Sequence, residues 1–135
     1  MHLPILKKIS VILALTITMT VPVMAEAPKP VTPPKVLSVK ETIELYAEVY
    51  DANVDELLDV AMCESSLNPK ARGDGGRAVN IFQYHRPTFD RFSNLMGETL
   101  DYYSYHDQAK LTSWIWANYP QYKNHWTCSR IVGIE

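Results

Sequence analysis

The sequence lacks a basic tract, a regular alternation of apolar and polar positions, and any internal repeat. Lysine and arginine total 13 against 15 aspartates and glutamates, which gives a formal net charge of −2. Without a basic tract, a nucleic-acid-binding surface is not expected. Without alternation, a fold built mainly from sheets is not expected either. Phosphate-binding loops and nucleophile elbows are also missing, which removes two common classes of enzyme site.

Metal-binding motifs are missing as well. His85, His106 and His125 lie too far apart in the chain for a zinc motif, and only two cysteines are present. Structural zinc sites draw their ligands from closely spaced pairs. We therefore expect no metal and no cofactor.

The N-terminal 25 residues have the pattern of a secretory signal peptide. Two lysines precede an apolar run that begins at Ile9, and small residues flank Met24. This order of basic, apolar and small residues is typical of an exported protein. An uncleaved membrane anchor is the alternative, although the run is short for a bilayer and is diluted by threonines. We expect a secreted or periplasmic protein. A lipoprotein is not expected, because no cysteine lies near residue 25.

Export determines how the two cysteines are interpreted. In an oxidising compartment, two thiols in a small domain are expected to form a disulfide. Cys63 and Cys128 are therefore predicted to be bonded, which ties the C-terminal segment to the chain around residue 63. The alternative makes Cys63 a nucleophile, but no partner base is evident near it in the sequence.

Residues 26–36 contain four prolines and no apolar periodicity, which predicts an extended linker. Residues 37–135 then form the single folded domain. Apolar residues at helical spacing predict a mainly α domain with an α+β fold at most. Asn53 and Glu56 resemble a capping box at the start of the second helix, and Asp107 is expected to cap the last one. The predicted helices are residues 40–50, 54–69, 87–96 and 107–118.

The segments between the helices are less regular. Residues 71–76 contain three glycines and predict a sharply turning loop without regular structure. Residues 78–84 are apolar and β-prone, and they predict either a strand or an extended lead into the third helix. The tail from residue 122 onwards is expected to be irregular.

Glu64 is the residue that most strongly suggests a function. On a helical wheel it falls within the apolar arc of Leu57, Val60 and Ala61, whereas Asp59 lies opposite. Burial disfavours the charged carboxylate, and the negative end of the helix macrodipole acts in the same direction. Both effects raise the pKa, as a general acid requires. The alternative is a structural glutamate paired with an arginine: Arg72, Arg77 or Arg86.

Several motifs together resemble the lysozyme-like lytic transglycosylase domain, often called the SLT domain. They are CESSLNP at residues 63–69, GDGG at residues 73–76 and IFQ at residues 81–83. The tail WTCS at residues 126–129, together with Cys63, is similar to small secreted members of the lysozyme superfamily. The resemblance covers roughly residues 41–129 and implies a small lysozyme-like domain.

The resemblance implies cleavage of the β-1,4 bond between N-acetylmuramic acid and N-acetylglucosamine in peptidoglycan. Glu64 would protonate the leaving oxygen. The resulting carboxylate would then take a proton from the sugar's own 6-hydroxyl, which closes onto the anomeric carbon as a 1,6-anhydro ring. The residues implied to bind substrate are Ser65, Asn80, Ile81, Phe82 and Gln83.

Two further features bear on mechanism. Asp74 is the only acidic residue shortly after Glu64 and could serve as a second carboxylate in a hydrolytic muramidase. Asn80 stands where the family commonly has glycine, and the family's later Ala-Tyr-Asn signature is absent. These departures motivate a different alternative, a non-catalytic cell-wall binding or assembly module. We expect a monomer that acts on glycan strands, with a partner in an envelope-spanning machine suggested by analogy alone.

Overall fold

The structure is a computed structural model that describes residues 35–134. The expected signal peptide at residues 1–25 and nearly all of the linker at residues 26–36 lie outside the described residues. Within residues 35–134, no helix has both the length and the apolar character needed to cross a membrane.

The described chain is mostly helical, which confirms the predicted mainly α class. Two short 3₁₀ helices, Asp74–Gly76 and Pro120–His125, accompany the α-helices. The tail was expected to be irregular, and this was wrong, because it forms the second 3₁₀ helix and the last α-helix. The α-helices are α1 Val39–Tyr50, α2 Val54–Ser65, α3 Arg86–Met96, α4 Tyr105–Asn118 and α5 Thr127–Ile131.

A small antiparallel sheet lies between α2 and α3. Its strands are β1 Arg72–Gly73, β2 Ala78–Val79 and β3 Tyr84–His85, in the order β1-β2-β3. Residues 78–84 therefore form neither one strand nor a simple lead into α3, since a turn separates β2 from β3. The glycine segment is also more regular than expected, because β1 and a 3₁₀ turn occupy it.

The helix starts differ in part from the predicted caps. Asn53 caps α2 as expected, since its side-chain oxygen accepts hydrogen bonds from the backbone N–H groups of Asp55 and Glu56. Glu56 does not complete a capping box, because its carboxylate pairs with Lys123 instead. Ser104, not Asp107, caps α4: its hydroxyl accepts the N–H of Asp107 at 3.2 Å.

Helix α2 ends at Ser65, four residues earlier than predicted. Ser66 and Leu67 both adopt left-handed backbone conformations, with φ of 55° and 58°. Their N–H groups turn back to the carbonyls of Met62 and Ala61, which closes the helix with its own backbone. Glu64 therefore lies in the last turn of α2.

The hydrophobic core lies between the helices and the inner side of the sheet. Apolar side chains at helical spacing face this core, and at the end of α3 Met96 packs against it whereas Leu95 is exposed. Trp126 joins the core from the tail and makes edge contacts with Tyr84 and Trp116. Fully buried side chains include Ile43, Leu57, Val60, Phe82, Phe89, Phe92, Leu111 and Ile115.

Candidate active site

A cleft of about 490 Å³ lies between the end of α2, the sheet, the start of α3 and the segment that leads into α5. This volume falls within the roughly 300–1,000 Å³ range of small-molecule sites. Acidic, amide, imidazole and hydroxyl groups all face it. Its lining residues are Glu64, Gly73, Asp74, Ala78, Gln83, Tyr84, His85, Thr88, His125, Trp126 and Thr127.

Glu64 is partly buried at the cleft wall. Its Oε1 accepts a hydrogen bond from the backbone N–H of Cys128, with N and O 3.4 Å apart. Burial raises the pKa of the Glu64 carboxyl, and this hydrogen bond opposes the shift without cancelling it. The negative end of the α2 macrodipole acts in the same direction as burial. The geometry therefore favours a carboxyl group that holds its proton to a higher pH than an exposed glutamate does.

No basic residue of the described chain lies within ion-pair distance of Glu64. Arg77 pairs with Asp74, and Arg86 pairs with Asp90, each at 2.9 Å. The structural alternative of a Glu64–arginine pair is therefore not found.

The disulfide expected between Cys63 and Cys128 is confirmed, with the two Cα atoms 5.8 Å apart. It joins α2 to α5 directly beside the candidate acid. Because Cys63 precedes Glu64 and Cys128 donates to it, the bond also fixes the N–H that contacts the carboxylate. The alternative of a nucleophilic Cys63 thiol is excluded in this bonded state.

Gln83 reaches the cleft, as the resemblance implies. Its Nε2 donates to the carbonyl of Asn80 at 2.7 Å, and its Oε1 points towards Gly73. A Cβ added at Gly73 would lie only 2.5 Å from this Oε1. The φ of Gly73 is −120°, an ordinary extended value, so the glycine provides space rather than an unusual backbone conformation. This contact was not predicted, because the sequence indicated Gly73 only as a turn residue.

Ser65, Ile81 and Phe82 lie behind the cleft wall. The hydroxyl of Ser65 lies within hydrogen-bonding distance of the carbonyls of Ala61 and Ile81, at 3.1 and 2.9 Å. The side chains of Ile81 and Phe82 are fully buried. Their N–H groups donate to other protein atoms, including the side chain of Gln108 for Phe82. These residues support the wall, and direct contact with a substrate stays a prediction.

Asn80 adopts the left-handed conformation, with φ of 68°, at the position where the SLT domains that the sequence resembles commonly have glycine. Its side chain is buried and bonded at both ends. Oδ1 accepts the N–H of Ile81 at 2.7 Å, and Nδ2 donates to the carbonyl of Tyr103 at 2.8 Å. Asparagine tolerates this conformation better than most residues. The turn therefore keeps its backbone geometry and gains two hydrogen bonds, but the side chain does not line the cleft.

Asp74 lines the same cleft as Glu64, and both of its carboxylate oxygens are engaged. Oδ1 pairs with Arg77, and Oδ2 lies 3.1 Å from Nε2 of His85. His85 was considered in the sequence only as a metal ligand, and its place beside Asp74 was not foreseen. No group of three potential metal ligands occurs within residues 35–134.

His125 also faces the cleft and was not predicted as a site residue. Its Nε2 lies 3.2 Å from Arg91, and because a guanidinium only donates, Nε2 is the acceptor. Burial first, and then the charge of Arg91, lower the pKa of His125. A neutral imidazole therefore borders the cleft at neutral pH. The only sequence signal for a place of His125 at the cleft was its position directly before the WTCS segment, which is one of the motifs that carry the resemblance.

Comparison of the chain with family models, with curated proteins and with solved structures gave no match.

Proposed function

We propose that this protein is an exported lytic transglycosylase that cleaves peptidoglycan glycan strands. The observation that carries the proposal is the state of Glu64: a partly buried carboxyl without a cationic partner among the described residues, in a cleft of about 490 Å³. Such a carboxyl is suited to protonating a poor leaving group.

Glu64 would act twice in the reaction. Its carboxyl proton passes to the oxygen that bridges N-acetylmuramic acid and N-acetylglucosamine, and the glycosidic bond breaks. The carboxylate then removes the proton of the 6-hydroxyl on the muramic acid, whose oxygen bonds to the anomeric carbon. Glu64 ends the cycle protonated, and no water is consumed.

The backbone N–H of Cys128 can stabilise the carboxylate form of Glu64 that arises within this cycle. It donates to Oε1 of Glu64, so the carboxylate formed after the first proton transfer has a fixed hydrogen-bond partner. At 3.4 Å this hydrogen bond is long, and it lowers the pKa of Glu64 by less than burial raises it. Gln83 has a second amide N–H beyond the one that Asn80 accepts, and it can donate to a sugar hydroxyl or acetamido group.

A hydrolytic muramidase is the second candidate, favoured by the position of Asp74 in the same cleft. A retaining hydrolase needs its two carboxyl groups roughly 5–5.5 Å apart, and an inverting one roughly 6.5–9.5 Å apart. Both oxygens of Asp74 are already paired, with Arg77 and His85. These pairs favour a positioning role for Asp74, so transglycosylation is the better-supported proposal.

The test compares the wild-type protein with Glu64→Gln on purified peptidoglycan. The substitution keeps the size of the side chain and removes its proton, so soluble muropeptide release should fall by at least a hundredfold. Asp59→Asn is the matched control, since Asp59 lies on the same helix but is exposed, and it should release products at the wild-type rate. Undiminished release by Glu64→Gln would refute the role of Glu64. Saturable binding to the wall with no release by the wild type would favour the non-catalytic binding module.

A further inference from the structure

A second cavity, which we call the arginine groove, is formed by residues of the sheet, the start of α3 and the segment before α4. Its volume is about 500 Å³, and no acidic side chain lines it. Its lining residues are Arg72, Gly76, Arg77, Val79, His85, Arg86, Pro87, Tyr102 and Tyr103.

Two of the guanidinium groups rest on a pair of tyrosine rings. Arg72 lies 5.2 Å from the ring centroid of Tyr103, and Arg86 lies 5.2 Å from that of Tyr102. The two rings contact each other edge to face, with centroids 5.0 Å apart. Cation–π contacts of this kind fix guanidinium groups without using their N–H donors.

The donors of these arginines are largely free. Arg72 makes no ion pair among the described residues. Arg86 binds Asp90 through Nε alone, so its terminal nitrogens stay available. A guanidinium presents five N–H donors in a planar fork that matches a carboxylate.

The residues that line the groove carry positive charge, which neighbouring aspartates partly balance. Asp74 compensates Arg77, and Asp90 compensates Arg86, while Arg72 has no such partner in the described chain. Helix α3 also begins here, and no side chain caps its N-terminus. The positive end of its macrodipole adds to the attraction for an anion.

The groove adjoins the cleft through a chain of polar contacts. His85 lines both cavities. Asp74 on the cleft side bonds to Arg77 on the groove side and to His85 between them. A substituent on a sugar held in the cleft can therefore extend over this boundary into the groove.

We propose that the arginine groove binds the carboxylate groups of the peptide stems that substitute the muramic acid residues. This inference rests on the proposed function, because it assigns a second binding region for the same substrate. Arg72 is placed to pair with a stem carboxylate, and the tyrosine rings offer apolar surface to the side chains of the peptide. Glycan strands that carry acidic stems are then preferred over bare strands.

The first test measures binding of a synthetic stem peptide with free carboxylates, using calorimetry on the wild type and on Arg72→Gln. We expect the variant to bind roughly tenfold more weakly, as for loss of a charge-assisted hydrogen bond. The same peptide with amidated carboxylates should bind the wild type equally weakly. Lys70→Gln, an exposed lysine that does not line the groove, is the matched control and should behave as the wild type. Equal affinity of both peptides, or no difference between Arg72→Gln and Lys70→Gln, would overturn the proposal.

The second test compares cleavage of stem-bearing strands with cleavage of strands from which an amidase has removed the peptides. The wild type and Lys70→Gln should prefer stem-bearing strands, and Arg72→Gln should lose the preference. If the peptide binds but no strand is cleaved, the proposed activity fails and the groove assignment stands. If both kinds of strand are cleaved alike and the peptide does not bind, the groove assignment fails and the activity stands.

Discussion

A carboxyl group withdrawn from water costs the folded state free energy whenever it is charged. Glu64 is such a group. No cation of the described chain pairs with its carboxylate, so the cost of burying the charge is not compensated. At the scale of single residues, the cleft therefore combines a chemical function with a cost in stability.

We predict that Glu64→Gln unfolds at a higher temperature than the wild type at neutral pH. The folded-state pKa of Glu64 is raised above its ordinary value of 4.5, so the folded protein binds the proton more tightly than the unfolded chain. Its contribution to stability is present below pH 4.5 and is lost as pH rises through the folded-state pKa. Glutamine carries no charge and avoids this loss. Thermal melts should show a gain at neutral pH that disappears under acidic conditions; an equal gain at both would contradict the pKa argument.

The contact between Gly73 and Gln83 gives a second prediction at this scale. Gly73→Ala should displace the amide of Gln83, because the new Cβ would lie 2.5 Å from its Oε1, while Ala78 at 3.7 Å is an ordinary neighbour. We expect glycan cleavage to fall at least tenfold and the free energy of unfolding to drop by about 1–3 kcal/mol. In a Gln83→Ala background the stability cost of Gly73→Ala should nearly vanish. A double-mutant cycle of denaturant unfolding measures this coupling, and an additive result would exclude the contact.

At the scale of elements, the turn between β2 and β3 is held by side chains rather than by glycine. The side chain of Asn80 forms hydrogen bonds within the turn and to Tyr103. The buried side chain of Gln108 in α4 accepts a hydrogen bond from the N–H of Phe82 and donates to the carbonyls of Val79 and Tyr102. The turn is thus anchored on the helix behind it.

We predict that Asn80→Gly destabilises the protein, although the SLT domains that the sequence resembles commonly have glycine there. Glycine keeps the positive φ but removes both side-chain hydrogen bonds and leaves the N–H of Ile81 without its acceptor. The expected loss is about 1–3 kcal/mol. Asn94→Gly, at an exposed position of α3, provides a control that loses only helix propensity, about 1 kcal/mol or less. Equal losses in the two variants by urea unfolding would show that the bonds of Asn80 contribute nothing.

The disulfide gives a prediction that links two elements. The cysteines are 65 residues apart in sequence, and replacing both by serine should lower stability by about 4 kcal/mol in the chain-entropy treatment. The replacement also frees the N–H of Cys128 from its place beside Glu64. Cleavage should therefore fall even at temperatures where the double variant is folded. Full activity in a folded Cys63→Ser/Cys128→Ser protein would exclude a positioning role for the bond.

At the scale of the whole molecule, sequence patterns predicted α1 to α4 and the disulfide, because these depend on periodicity and on a single cysteine pair. They did not predict α5, which lies in the tail. They did not predict where α2 ends, since the left-handed pair Ser66 and Leu67 has no strong sequence signal. Gln108 was missed because a glutamine within a helix is normally expected to be exposed.

The candidate site was predicted in part for similar reasons. Glu64, Asp74 and Gln83 lie at the cleft as the motifs suggested. Each belongs to a short motif whose local sequence was enough to indicate its position. His85 and His125 come from separate elements and meet the cleft only through tertiary packing. Ser65, Ile81 and Phe82 belong to the same motifs but have their polar groups used inside the protein, which only the hydrogen-bond partners reveal.

The most direct test of the central claim is mass spectrometry of the muropeptides that the wild-type protein releases from peptidoglycan in isotopically labelled water. Transglycosylation by Glu64 predicts 1,6-anhydro ends that are lighter than reducing ends by one water and carry no label. Labelled reducing ends would contradict it and indicate hydrolysis instead. The absence of any released product would contradict catalysis by this cleft altogether.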